Sequence, residues 1–288
     1  MKLLVLLIAL GLEYFPGGLD RFRSPGWFDR LAAALEARFG RESWWDGRGG
    51  VLLTLAVPLG VLLLAGCLLG LLHGGLPYLL ALVVLVYSLG PDVNVLMNRY
   101  ITAVAEHDSV AKAELESHFL PGPATHANQT MVIEAFLLRF HERVCGVIFW
   151  FIILDAIGAL LFCLTVRLLD KYRDIHGAHA NAVRDLYRIL CWPSARMLAI
   201  GFSIAGSLRE GLEGWFDVQG DGISASEDII RYSGLGAMGY TPDHAPAEET
   251  DQAQAFAGWL TETQALLRRT LIVWLAVLGF ITIPGWLS

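Results

Sequence analysis

The chain is short of charge. Of 288 residues only 17% are Asp, Glu, Lys or Arg, against about 25% in ordinary soluble domains. Lysine is scarcest, with Lys2, Lys112 and Lys171 the only three, and none follows a glycine. A Walker loop of the form G-x-x-x-x-G-K-[ST] is therefore absent, which takes away the standard P-loop route to ATP. No stretch is basic enough for a nucleic-acid surface, so nucleic acid is not an expected partner. The four cysteines, Cys67, Cys145, Cys163 and Cys191, form no C-x-x-C pair, and buried reduced thiols are the simplest reading. The first fifteen residues imitate a signal peptide but lack a small-x-small cleavage site, and Glu13 follows the apolar run directly.

Apolar residues are abundant: they make up 55% of the chain, and the mean hydropathy is +0.52. They fall into blocks, which amphipathic patterning would not produce. A membrane helix needs about 20 consecutive apolar residues. On that measure spans are predicted at 51–72, 76–96, 144–166 and 270–287, with a shorter one at 1–15 and a half-span, re-entrant piece or interfacial helix at 195–208. The polar segments are 16–50, 98–143, 167–194 and 209–269. The expected fold is an all-α polytopic membrane helix bundle, one domain over 1–288, with amphipathic and extramembrane helices and the lipid bilayer as its first partner.

The connections add detail. Trp27, Phe28, Leu31, Leu35 and Phe39 fall near helical spacing, which predicts an interfacial amphipathic helix, and Trp44 and Trp45 suit an aromatic belt. Pro121-Gly122-Pro123 should break 98–143 in two. Charge gives a conflict over orientation. Residues 16–50 carry six Arg and the turn at 73–75 carries no Lys or Arg, so the positive-inside rule puts 16–50 and 90–143 on the cytoplasmic side, and the six basic residues of 167–196 would be expected there too. A single crossing at 144–166 would separate them. Either 144–166 dips in and returns around Asp155–Gly158, or the rule is outvoted.

Three motifs invite a chemical reading. Gly234-x-Gly236-x-x-Gly239 matches a dinucleotide fingerprint, but a polar segment precedes it and Pro242 follows, so a flexible glycine loop is expected. His176 and His179 are spaced i, i+3 with no third ligand nearby, and no metal is expected. Asn128-Gln129-Thr130 is a formal sequon. Polar groups at membrane borders carry more weight, because hydrocarbon penalises unpaired charge. These are Glu13, Tyr100, Asp108, Glu142, Arg143 and Arg196, with Asp155 inside an apolar run. A structural ion-pair set that orients helices is the competing reading.

The run His141-Glu142-Arg143-Val144-Cys145-Gly146-Val147-Ile148-Phe149-Trp150, then Gly158-Ala159-Leu160-Leu161, then Trp192-Pro193-x-Ala195-Arg196, resembles the AmpE family. Leu12-Glu13, Tyr100 with Asp108-Ser109, and Trp215 belong to the same resemblance. It implies a multi-pass protein of the bacterial inner membrane, sensory or regulatory rather than catalytic, tied to β-lactamase induction. Its partner would be an envelope-signalling membrane protein or a cell-wall metabolite. The residues expected to line its ligand pocket are Glu13, Tyr100, Asp108, Glu142 and Arg143, with Arg196 as an anion contact. AmpE in turn resembles the CbiB/CobD amide synthases of cobalamin synthesis. That alternative requires ATP and Mg²⁺, and here Arg139 and Phe162-Cys163 replace its characteristic polar groups. A non-catalytic membrane scaffold is the third expectation.

Overall fold

A computed structural model describes residues 2–13, 26–42, 44–90, 93–120, 128–218, 222–240 and 249–282. The described residues form helices and no strands: α1 (Lys2–Glu13), α2 (Gly26–Phe39), α3 (Gly50–Leu72), α4 (Leu76–Ser88), α5 (Val93–Ala105), α6 (Ser109–Phe119), α7 (Gln129–Phe140), α8 (Gly146–Lys171), α9 (Ala178–Ala205), α10 (Leu208–Phe216), α11 (Ser226–Met238) and α12 (Glu249–Thr282). A π-helical turn precedes α8 at His141–Cys145, and before α3 the backbone kinks at Asp46 and Gly47, whose φ/ψ are not helical. Pro121-Gly122-Pro123 and the terminal Trp286 lie outside the described residues.

By length and composition alone four stretches could cross a membrane, Trp45–Leu72, Leu76–Ala105, Gln129–Lys171 and Gln252–Phe280, the third of them broken at Asp155. The N-terminal helix is apolar but shorter. The chain divides into two compact units, Met1–Pro91 with Glu142–Cys191, and Asp92–His141 with Trp192–Ser288.

In the first unit, α3 has 23 residues and so runs about 34 Å, enough for a hydrocarbon core of about 30 Å. Val51, Leu55, Pro58 and Leu62 form its buried stripe, while Leu63, Leu64, Leu68, Leu71 and Leu72 stand exposed, as lipid-facing residues would. His73 ends the helix in an extended conformation, Pro77 starts the next, and the hairpin closes almost without a loop.

The α8 segment does not follow the path expected of a span. Asp155 has φ 60° and ψ −151°, which breaks the helix. Arg143 and Asp170 are 27 residues apart, about 40 Å along a straight helix, yet their side chains meet at 3.1 Å. The chain therefore reverses. At the bend a Cβ on Gly158 would lie 2.2 Å from the Trp150 carbonyl oxygen and 2.7 Å from the Leu154 Cβ, so only glycine fits. The apolar arms 144–154 and 156–168 are about 17 and 20 Å long, and neither crosses the hydrocarbon alone. Residues 144–166 are thus apolar as expected but form a re-entrant hairpin. Such a break is tolerated where protein covers the backbone, and Val147, Ile148, Phe151, Ala159, Phe162 and Leu164 are buried.

In the second unit, α12 buries Phe256, Leu260, Thr263, Leu267, Thr270 and Trp274, a 4-3-4-3-4 seam. It begins well before residue 270. Of the 14-residue piece expected at 195–208, residues 195–205 are the last part of α9, a 28-residue helix continuous through Pro193, and Leu208 begins α10. The glycine motif is not a loop either. Gly234 and Gly236 lie inside α11, and Gly239 caps it with φ 63°. A Cβ on Gly236 would lie 2.3 Å from the Glu210 carbonyl oxygen, and one on Gly214 2.4 Å from that of Tyr232. The glycines let α10 and α11 touch backbone to backbone.

Candidate functional site

The sequence-selected residues fall in both units, and each has its own surroundings. In the second unit, Tyr100 is fully buried, packed on Phe119, Phe136 and Phe256, and its hydroxyl donates to Glu116 Oε1 at 2.6 Å. Asp108 is the N-cap of α6, accepting from the Val110 and Ala111 amides at 3.0 Å each. Arg196 stacks on the Trp192 ring at 4.4 Å and donates to the Trp192 and Gly222 carbonyls. All three contact protein: Tyr100 pins α6, Asp108 satisfies orphan helix amides, and Arg196 ties Gly222 to α9. Glu13 closes α1, and its side chain lies outside the described residues.

Asp155 marks the hairpin tip in the first unit. Its Oδ1 accepts from the Ala156 amide at 2.9 Å and so caps the second arm. Lys2 lies 3.4 Å from Asp155 and donates to the Ile152 carbonyl at 3.3 Å, capping the first arm. An anion at a helix start and a cation at a helix end both suit the helix dipole. A carboxylate in an apolar run is thereby accounted for by the fold.

The opposite, open end of the hairpin gathers most of the unit's polar chemistry. The π turn at 141–145 inserts one residue into the helical register, a feature common at functional positions. It buries Glu142, whose Oε1 accepts a long 3.4 Å hydrogen bond from the Tyr187 hydroxyl on α9. Arg143 donates to Asp170 Oδ2 at 3.1 Å, and Arg173 donates to Asp170 Oδ1 at 3.0 Å. One turn earlier Arg167 donates to the Tyr87 hydroxyl, which also accepts from Trp27 Nε1 at 2.7 Å. Lys171 pairs with Glu36 at 3.8 Å. Burial raises the Tyr172 phenol above its ordinary pKa, and the Glu36 carboxylate adds to this.

Of the sequence-selected residues, the structure thus brings Glu142 and Arg143 together here. Tyr87, Arg167, Asp170, Arg173 and Tyr187 were missed. Each looks like an ordinary border residue in sequence, and only the i, i+3 spacing of Arg167, Asp170 and Arg173 hinted at a shared face. His179 stacks on Trp45 with ring centroids 5.9 Å apart, a packing role. Among the described residues no group of three or more His, Cys, Asp or Glu could hold a metal ion. Three cysteines are buried, whereas Cys67 is exposed on α3.

No protein-family model, curated protein or solved structure matches the chain.

Proposed function

We propose that this chain is a regulatory protein of AmpE type in the bacterial inner membrane, and that it responds to a ligand at the open end of its re-entrant hairpin. The observation that carries this reading is the buried Glu142, held by Tyr187 beside the Arg143–Asp170 pair in an otherwise apolar element. A buried carboxylate and a part-buried arginine side by side are costly to keep for packing alone. The family resemblance supplies the pathway, β-lactamase induction, and the ligand is then a cell-wall metabolite or a membrane partner.

The test is made in a bacterium with an inducible β-lactamase. Glu142→Gln and Tyr187→Phe, each at wild-type membrane level, should shift induction by a β-lactam severalfold, in the direction of the deletion strain. Induction indistinguishable from wild type in both variants and in the deletion would refute the regulatory role.

A further inference from the structure

We propose that the open end of the hairpin binds a phosphate group, on a lipid headgroup or a soluble ligand, through Arg143, Arg167 and Arg173. This deepens the border-pocket reading: it rests on that reading for the location of the site but not for its part in signalling.

The case begins with charge. Asp170 is one carboxylate held between two guanidiniums, Arg143 at 3.1 Å and Arg173 at 3.0 Å. It can neutralise one of them. Arg167, one turn before Asp170 on α8, makes no ion pair with a carboxylate among the described residues, and its partner is the neutral Tyr87 hydroxyl. Arg143 meets α8 at Asp170, and Arg167 lies three residues, less than one helical turn, before Asp170 on that helix. Three arginines beside two carboxylates, Asp170 and the buried Glu142, leave one positive charge. Lys171 does not change this, since it has its own carboxylate, Glu36. Arg143, Arg167 and Arg173 are all part-buried, where salt screens them less than it screens surface charge.

The shape suits a phosphate. A phosphate presents more oxygens to forked guanidinium donors than a planar carboxylate does. Asp170 occupies part of the donor set and would compete with the incoming anion. Trp27 and Tyr87, bonded to each other at the rim, are the aromatic types that sit at headgroup level. Gly90 packs directly on the Arg143 stem, where a Cβ would lie 2.7 Å from Cδ, and so helps fix that side chain.

The test uses the intact chain in detergent. Mass spectrometry of the native protein reads retention of added phosphatidylglycerol, and calorimetry reads binding of inorganic pyrophosphate. One of the two should bind in a 1:1 ratio. Arg167→Gln should weaken it about tenfold or more. Asp170→Asn should tighten it, since the internal competitor is gone. If Arg143→Gln does not purify, Arg173→Gln makes the same comparison at a more exposed position. Lipid binding alone assigns a headgroup, and pyrophosphate binding alone assigns a soluble phosphate. Binding of neither, or weakening by Asp170→Asn equal to that by Arg167→Gln, would overturn the proposal. Phosphate binding with unchanged β-lactamase induction would instead sink the regulatory reading and leave this one standing.

Discussion

Asp155 shows how much one backbone angle can decide. Its φ of 60° with ψ of −151° is a region that glycine adopts freely and other residues enter at a cost of about 1–3 kcal/mol. The side chain recovers part of that by capping the Ala156 amide and facing Lys2. Lys2 and Asp155 are each close to half exposed, so their pairing contributes at most about 1 kcal/mol. Relief of strain and loss of the cap are then similar in size. Asp155→Gly is expected to keep the protein within about 1 kcal/mol of its stability, whereas Asp155→Leu keeps the strain, loses the cap and costs about 2 kcal/mol or more. Thermal unfolding followed by tryptophan fluorescence in detergent reads both. A Leu variant as stable as the Gly variant would mean the helix is not broken there.

At the scale of elements, the glycines of α10 and α11 make the most specific claim. Close backbone approach is possible only without side chains, and Gly236 meets the Glu210 carbonyl, as Gly214 meets that of Tyr232. Gly236→Leu should force the two helices apart and leave the chain aggregated or degraded, while Gly258→Ala, in open space on α12, should behave as wild type. Size-exclusion profiles of the two variants distinguish these outcomes. Two monodisperse profiles would mean that α10 and α11 do not pack as described. The same residues show where the sequence stopped being legible. Glycine lowers helix propensity, so the 234–239 motif read as a loop, and only the tight contact with α10 reveals it as a packing face. Residues 195–208 read as a half-span, re-entrant piece or interfacial helix because the apolar stretch there is only 14 residues long, yet 195–205 continue α9 through Pro193. Helix α3 was plain in the sequence because a long run of apolar residues admits little else. The candidate site was half legible. Glu142 and Arg143 stood out as charges opening an apolar run, but Tyr187 and Asp170 reach them only because the chain reverses and α9 packs alongside.

At the scale of the whole molecule, the re-entrant hairpin joins topology to chemistry. It brings Arg143 and Asp170 to the same end of one element, although 27 residues separate them. It accounts for basic residues flanking 144–166 on both sides without breaking the positive-inside rule. It also concentrates the unit's buried carboxylate and part-buried arginines at one border, where both the regulatory proposal and the phosphate proposal locate their ligand. All of this depends on the chain turning back at Asp155. The direct measurement is the distance between spin labels at Val144 and Leu169, introduced into a cysteine-free background in lipid nanodiscs and read by pulsed electron resonance. A folded-back hairpin should give a distance under about 20 Å, label arms included, and a straight helix crossing the membrane would give about 38 Å.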